Sequence, residues 1–111
     1  MVDKTDYEDR LMEVIYKYNL EREFNEKQYL LLPRGAKPIR CAKQTGDICL
    51  WCLIDTTEAA RMNELGVGEG REFILTATGW PELQESWNYI DTILEENNLF
   101  PTLVWHLFEV L

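Results

Sequence analysis

The stretch "ICLWCLID", residues 48–55, constrains the fold more than any other part of the chain. In an extended strand, successive side chains point to opposite faces of the sheet. Both sets of alternating positions in this stretch are apolar, which is typical of a strand at the centre of a sheet. Such a strand is either covered on both sides, or covered on one side and buried at an oligomer contact on the other.

Further short segments of the same kind surround this stretch, and turn residues separate them. The predicted strands besides 48–55 are 12–20, 27–33, 37–44, 71–79, 87–95 and 102–111. Segment 87–95 is compatible with strand or helix, and its Tyr, Ile and Thr residues favour a strand. A short helix is predicted over residues 58–65, capped by Thr56 or Thr57 and ended by Gly66.

This order of segments predicts one domain that is mainly β. We expect a small antiparallel sandwich or partly open barrel of about seven strands over residues 12–111. The helix would lie in the 57–65 connection. Residues 1–11 are acidic and polar, so they are predicted to form an N-terminal arm that precedes the domain.

The Cys-x-x-Cys of residues 49–52 raises the question of a redox or metal site. On a strand, Cys49 and Cys52 point to opposite faces with Cα atoms about 10 Å apart, whereas a disulfide needs roughly 4.4–6.8 Å. A zinc ion usually takes four ligands, and only Cys41 and His106 remain as other soft donors. The sequence therefore predicts small buried cysteines with no metal, disulfide or cofactor.

Charge is unevenly distributed along a chain whose net charge is −9. Residues 27–43 hold five positive residues and no acid, whereas residues 72–111 hold seven acids and no Lys or Arg. The net charge argues against direct binding to nucleic acid or to an anionic membrane. The asymmetry indicates either an opposite-charge contact with a partner or another copy, or segments that folding brings together.

No catalytic set is recognisable. His106 is a lone histidine on an apolar segment, and lone histidines of this kind are usually packed and hydrogen-bonded. The glycine-rich loop 66–70 precedes a strand, whereas a phosphate-binding loop follows a strand and opens a helix. We therefore predict a protein that is not an enzyme. Trp80 lies in a polar turn before Pro81, a position that suits an exposed binding residue.

The segments "LPRGAKPIRCAKQTGDICLWCLID", "REFILTATGWP" and "YIDTILEENNLFPTLVWHLFEV" resemble a family of small uncharacterised bacteriophage and prophage proteins. The family motifs are a Leu-Pro-x-Gly-Ala-Lys turn, a Leu-Trp-x-Leu-Val-Asp strand, a Thr-Gly-His-Pro turn and an aromatic-His-x-Phe-Glu strand. The match covers residues 14–110. Trp80 replaces the family's usual His, Cys52 stands where Ala is frequent, and Asp91 replaces a Gly.

The resemblance implies a protein in the cytoplasm of an infected bacterium, where small acidic phage proteins often bind and block host components. We expect a non-enzymatic inhibitor of a host factor, such as a defence component, that acts through an acidic surface and forms a homo-oligomer, most simply a dimer. The residues expected at the host contact are Trp80, Glu82, Glu85, Glu95 and Glu96.

The alternative is a protein that sequesters a small anionic nucleotide signal. Positive side chains would hold its phosphate, and an aromatic ring would stack on its base. The residues expected at this site are Arg34, Lys37, Arg40, Lys43, Trp80 and Tyr89.

Overall fold

The computed structural model of the chain describes residues 12–79, 82–95 and 103–111. The described part contains seven strands and one helix, so the predicted mainly β class is confirmed. The elements in chain order are β1 (Glu13–Leu20), β2 (Lys27–Leu32), β3 (Lys37–Gln44), β4 (Asp47–Asp55), α1 (Thr56–Leu65), β5 (Glu69–Ala77), β6 (Trp87–Glu95) and β7 (Leu103–Val110). The predicted arm, Trp80 and Glu96 lie outside the described residues.

The strands form two antiparallel sheets. Sheet A has the order β1-β4-β3, and sheet B has the order β2-β5-β7-β6. Apolar side chains from both sheets, including Leu50, Ile54, Phe73 and Leu107, are fully buried in one core between them. No backbone ladder joins the two sheets within the described residues, so the fold is sandwich-like and is not a closed barrel.

Strand β4 occupies the centre of sheet A, as the two-sided apolar pattern predicts. Its Leu50, Cys52 and Ile54 face the core and have no exposed surface. On the outer face, Cys49 is buried, whereas Trp51 and Leu53 are only half-buried. No second layer within the described residues covers this outer face completely.

Helix α1 follows β4 directly, and its cap differs from the prediction. Asp55, the last residue of β4, accepts a hydrogen bond from the Thr57 amide on its side-chain Oδ1 at 2.8 Å. The prediction that Thr56 or Thr57 caps the helix is therefore wrong, because a carboxylate stands one residue earlier. Gly66 ends the helix as predicted, with φ of 68° and its amide bonded to the Met62 carbonyl at 2.9 Å.

The edge strands β3 and β6 bring the two sheets together along one side. The carboxylate of Asp91 accepts a hydrogen bond from the backbone amide of Cys41 at 2.8 Å. The strand register shifts at Ile39 in β3 and at Ile90 in β6, so each strand carries an irregularity at this side. A side chain therefore satisfies an edge amide that the β3–β4 ladder leaves free.

Candidate binding surface

The outer face of sheet A carries two cross-strand rows of side chains. The strand register places Lys17 of β1 and Arg40 of β3 opposite Trp51 of β4. It places Ile15 and Lys37 in the same way on either side of Leu53. We call this surface the basic face, formed by Ile15, Lys17, Lys37, Ile39, Arg40, Trp51 and Leu53.

The middle of the basic face is apolar and open. Ile15 is 58% exposed, and Ile39, at the β3 irregularity, is 47% exposed. A hollow of about 370 Å³ lies between them, and Arg40 and Trp51 also line it. Ile15 and Ile39 bury little of their apolar surface within the protein itself, so that surface is available for contact with another molecule.

The cations of the basic face differ from most others in the described chain. Five Lys and Arg residues form ion pairs with carboxylates: Arg22, Lys27, Lys43, Arg61 and Arg71. The cations that form no ion pair with a described residue are Lys17, Arg34, Lys37 and Arg40. Three of these belong to the basic face, and Arg34 lies in the turn before β3.

The predicted basic set is therefore split. Arg34, Lys37 and Arg40 are exposed, and none of them forms an ion pair with a described residue. Lys43 instead pairs with Glu95 at 3.6 Å. The β4 residues opposite Lys37 and Lys43 are Leu53 and Ile48, which lie five positions apart. This corresponds to about 17 Å along the strand at 3.4 Å per residue. The set thus forms a row along a strand and does not converge on one point.

The predicted acidic set is also divided. Glu82 and Glu85 are exposed between β5 and β6. Glu95 is only 7% exposed and forms ion pairs with Arg22 and Lys43. Burial opposes its ionisation, but hydrogen bonds from Arg22 and from Trp105 Nε1 hold the pKa of Glu95 below its ordinary value. Glu95 is therefore an ionised structural residue and adds little free charge to the surface.

Two further acids of the C-terminal third are neutralised within the fold. Glu109 and Arg71 form a partly buried two-pronged ion pair, with N–O distances of 2.6 and 2.7 Å. Hydrogen bonding to Glu109 raises the pKa of Arg71 above its ordinary value. Glu72 pairs with Lys27 at 3.8 Å and accepts a hydrogen bond from Tyr29. Folding thus averages much of the charge asymmetry seen along the sequence.

A chain of hydrogen bonds runs over the outer face of sheet B. Thr78 contacts His106 Nε2 at 2.9 Å, and Thr92 contacts His106 Nδ1 at 3.0 Å. The Tyr89 hydroxyl lies 2.6 Å from the Thr92 hydroxyl. Both imidazole nitrogens are thus paired with threonine hydroxyls, so His106 is a hydrogen-bonded histidine, as the sequence predicts. Tyr89 lies on sheet B, so it does not join Lys37 and Arg40 of sheet A or Arg34 in the turn before β3.

The three cysteines are free and buried. Cys49 and Cys52 lie on opposite faces of β4, as alternation predicts. Burial raises the pKa of Cys41 to about 12 and that of Cys52 to about 11, so neither is a reactive thiolate near neutral pH. Within residues 12–79, 82–95 and 103–111, no three His, Cys, Asp or Glu residues cluster in a way that could hold a metal ion.

Sequence reasoning missed the basic face as a unit. It placed residue 51 only on a strand that is apolar on both faces, and it did not single out Ile15, Lys17 or Ile39. The apolar residues on both faces of 48–55 indicated that the outer face of this strand has an apolar surface. They did not indicate that Lys17 and Arg40 lie beside Trp51, because that depends on the strand register.

The fold and this surface define a small antiparallel β-sandwich with one open, cation-lined sheet face. Residues 12–111 match the family described as Domain of unknown function (DUF7352), and the chain belongs to that family. No curated protein and no solved structure matches the chain. In the part of the chain that the structure describes, no helix is both long enough and apolar enough to cross a membrane.

Proposed function

We propose that this chain is a non-enzymatic binding protein that inhibits a host factor, a component of antiviral defence, in the cytoplasm of a phage-infected bacterium. The phage setting is supported by the resemblance of its turn and strand motifs to phage and prophage proteins. The binding role is supported by the chemistry of the described residues, which offer open contact surfaces and no nucleophile with an oriented base.

The observation that carries this proposal is the basic face. An apolar centre inside a polar rim is the usual anatomy of a protein–protein contact. Ile15 and Ile39 are open, Trp51 is half-buried, and the surrounding cations form no ion pair with a described residue. Tryptophan and arginine are among the residue types enriched at the positions that dominate binding energy, and Trp51 and Arg40 lie side by side here.

The acidic surface expected from the sequence is a smaller candidate. Glu82 and Glu85 are exposed, so they remain available to a basic partner. Glu95 forms ion pairs with Arg22 and Lys43. Trp80 and Glu96 lie outside the described residues. The acidic contact therefore rests on two exposed carboxylates in one connection.

Sequestration of a small anionic nucleotide is the second candidate. Arg34, Lys37 and Arg40 are exposed cations on one side of sheet A, and Trp51 offers a ring beside Arg40. The separation along the strand and the position of Tyr89 on sheet B reduce the support for a compact phosphate site, because a small anion needs donors that converge.

The test is a comparison of charge-reversed variants in cells and in capture experiments. The chain would be expressed in bacteria that carry individual defence systems, and phage plaque formation would be counted. We expect the wild type to restore plaques against one system, and the Lys37→Glu/Arg40→Glu variant to lose that effect. Arg61→Glu, on the exposed side of α1, is the matched control and should behave as wild type.

Capture from lysates of the same cells, analysed for bound proteins and for small molecules released by heat, separates the two candidates. A captured host protein that is lost with the double variant supports inhibition. A released nucleotide with no captured protein supports sequestration. Restored plaques and unchanged capture by the double variant would overturn the role of the basic face.

A further inference from the structure

We infer that the partner of the basic face is an acidic protein segment in which an apolar side chain is flanked by carboxylates on both sides. This inference rests on the proposed binding function and specifies the chemistry of the partner. It is not the partner that the net charge of −9 suggests, since an acidic protein is expected to attract basic molecules.

The spacing of the two rows determines the pattern that fits. Lys17 and Arg40 lie on the strands either side of Trp51, and neighbouring strands are about 4.8 Å apart. The Cα atoms of these two residues therefore lie about 10 Å apart on either side of Trp51. The Lys17 ammonium donates a hydrogen bond to Gln44 Oε1 at 2.9 Å, so it leans along the strands towards Gln44. A complementary surface places one apolar group against Trp51 and Leu53, with a carboxylate on each side of it.

A second copy of the chain fits this face poorly. A two-fold contact through the basic face brings its three cations, Lys17, Lys37 and Arg40, towards the same three residues of the other copy. Among the described residues, carboxylates lie only at the two ends of this face. Glu13 and Asp55 lie at one end, where Asp55 accepts a hydrogen bond from the amide that begins α1, and the exposed Asp47 lies at the other end of β4. Like charges facing each other across an interface oppose association.

Nucleic acid and small phosphates also fit less well than protein. Aliphatic Ile15, Ile39 and Leu53 occupy the space between the cations and offer no hydrogen bonds to phosphate oxygens. An acidic peptide satisfies the cations and buries the aliphatic surface at the same time.

The experiment is a titration of the ¹⁵N-labelled full chain with short synthetic peptides, followed by NMR. The main probe is a peptide with two leucines flanked on each side by glutamates. Control probes are the same peptide with glutamine for glutamate, the same peptide with lysine for glutamate, oligothymidylate, and inorganic pyrophosphate. We expect amide shifts from the glutamate peptide at residues 15–17, 37–42 and 51–53.

The variant Lys37→Glu/Arg40→Glu should bind the glutamate peptide at least tenfold more weakly and should gain binding to the lysine peptide. The amide spectrum of the free variant, unchanged away from residues 37–42, shows that it is folded, and the exchange of preference shows that charge is the cause. Arg61→Glu should bind as the wild type does. Equal binding of the glutamine peptide, tighter binding of oligothymidylate or pyrophosphate at the same amides, or the same shifts on raising the protein concentration alone would overturn the inference.

The outcomes separate this inference from the proposed function. If the basic face is needed for inhibition in cells but the captured partner presents no acidic segment to it, the inference fails and the function stands. If the glutamate peptide binds as expected but the variants restore plaques as the wild type does, the function fails and the inference stands.

Discussion

At the residue scale, Glu95 shows how folding changes the meaning of a charged side chain. In the sequence it is one of the seven acids of a segment without cations, which suggests a free acidic surface. In the structure it joins Arg22 from the β1–β2 connection and Lys43 from β3, and it accepts a hydrogen bond from Trp105. It therefore links both sheets and is expected to contribute to stability.

We predict that Glu95→Gln lowers the free energy of unfolding by about 1–3 kcal/mol, since two cations lose their counter-charge. Glu85→Gln is the matched control, because Glu85 is exposed, and it should change stability by less than about 0.5 kcal/mol. Urea unfolding followed by circular dichroism measures both. Equal effects of the two substitutions would show that the Glu95 ion pairs contribute nothing.

The lowered pKa of Glu95 predicts a dependence of stability on pH. Because the pKa in the folded protein lies below that in the unfolded chain, the contribution of Glu95 is present above the unfolded value and is lost as pH falls through the folded value. Glu95→Gln should therefore reduce stability at neutral pH and reduce it progressively less in acid. A difference between wild type and variant that stays constant from neutral pH into acid contradicts this assignment.

We predict that Cys41 and Cys52 do not react with a thiol reagent near neutral pH while the protein is folded. Both side chains are buried, and their pKa values are raised to about 12 and about 11. Labelling followed by mass spectrometry should show modification only as urea unfolds the chain. Labelling of these two residues in the folded protein, or stoichiometric zinc by elemental analysis, would contradict the prediction.

At the scale of elements, the local sequence pattern predicted most of the fold. Side chains that suit the two faces of a sheet alternate along the strands, and turn-forming residues such as glycine and proline separate them. The strands and the helix lie close to their predicted positions, and β6 is a strand despite its irregular alternation, which a shift of register at Ile90 explains. The cap at Asp55 was missed because the last residue of β4 is also the N-cap of the helix that follows it.

The candidate site was harder to predict because it depends on pairing between distant segments. Only the register of β1 and β3 on β4 sets Lys17 and Arg40 on either side of Trp51. The sequence predicts that β4 is apolar on both faces, but it does not say which strands lie beside it. The Lys43–Glu95 pair likewise joins residues from the two rival predicted sites, and no spacing rule relates them.

We predict that Asp91→Ala destabilises the junction between β3 and β6. The substitution removes the acceptor for the Cys41 amide, and an unpaired buried donor costs about 1–3 kcal/mol. It also frees an edge strand, so self-association should increase. Asp91→Asn retains an acceptor oxygen and should be milder in both respects. Urea unfolding and light scattering measure the two effects, and identical behaviour of the two variants would contradict this role.

At the scale of the whole molecule, the two sheets present different outer faces. Sheet A offers cations around an apolar centre, whereas sheet B exposes Tyr29, Leu31, Tyr89 and Leu94, with Tyr89 against Phe108. We expect the dimer to form through the outer face of sheet B and not through the basic face. A two-fold contact through sheet B does not bring three cations of one copy towards the same three cations of the other. Each sheet can then serve a different contact.

We predict a mass about twice 13.1 kDa by light scattering at micromolar protein. Leu94→Glu should shift the protein towards the single-chain mass, because it places a charge at an exposed apolar position of sheet B. Lys37→Glu/Arg40→Glu should leave the mass unchanged. A single-chain mass for the wild type at low and moderate salt would contradict the dimer.

In the proposed function, the basic face of sheet A, and not the acidic surface, binds the host partner. The most direct measurement is the affinity of the purified partner for the wild type, Lys37→Glu/Arg40→Glu and Glu82→Lys/Glu85→Lys, at low and moderate salt. We predict at least tenfold weaker binding for the first variant, a change within about twofold for the second, and weaker wild-type binding at higher salt, because exposed charge contacts are screened over about 10 Å at 0.1 M. Loss of binding with the second variant and unchanged binding with the first would contradict the claim.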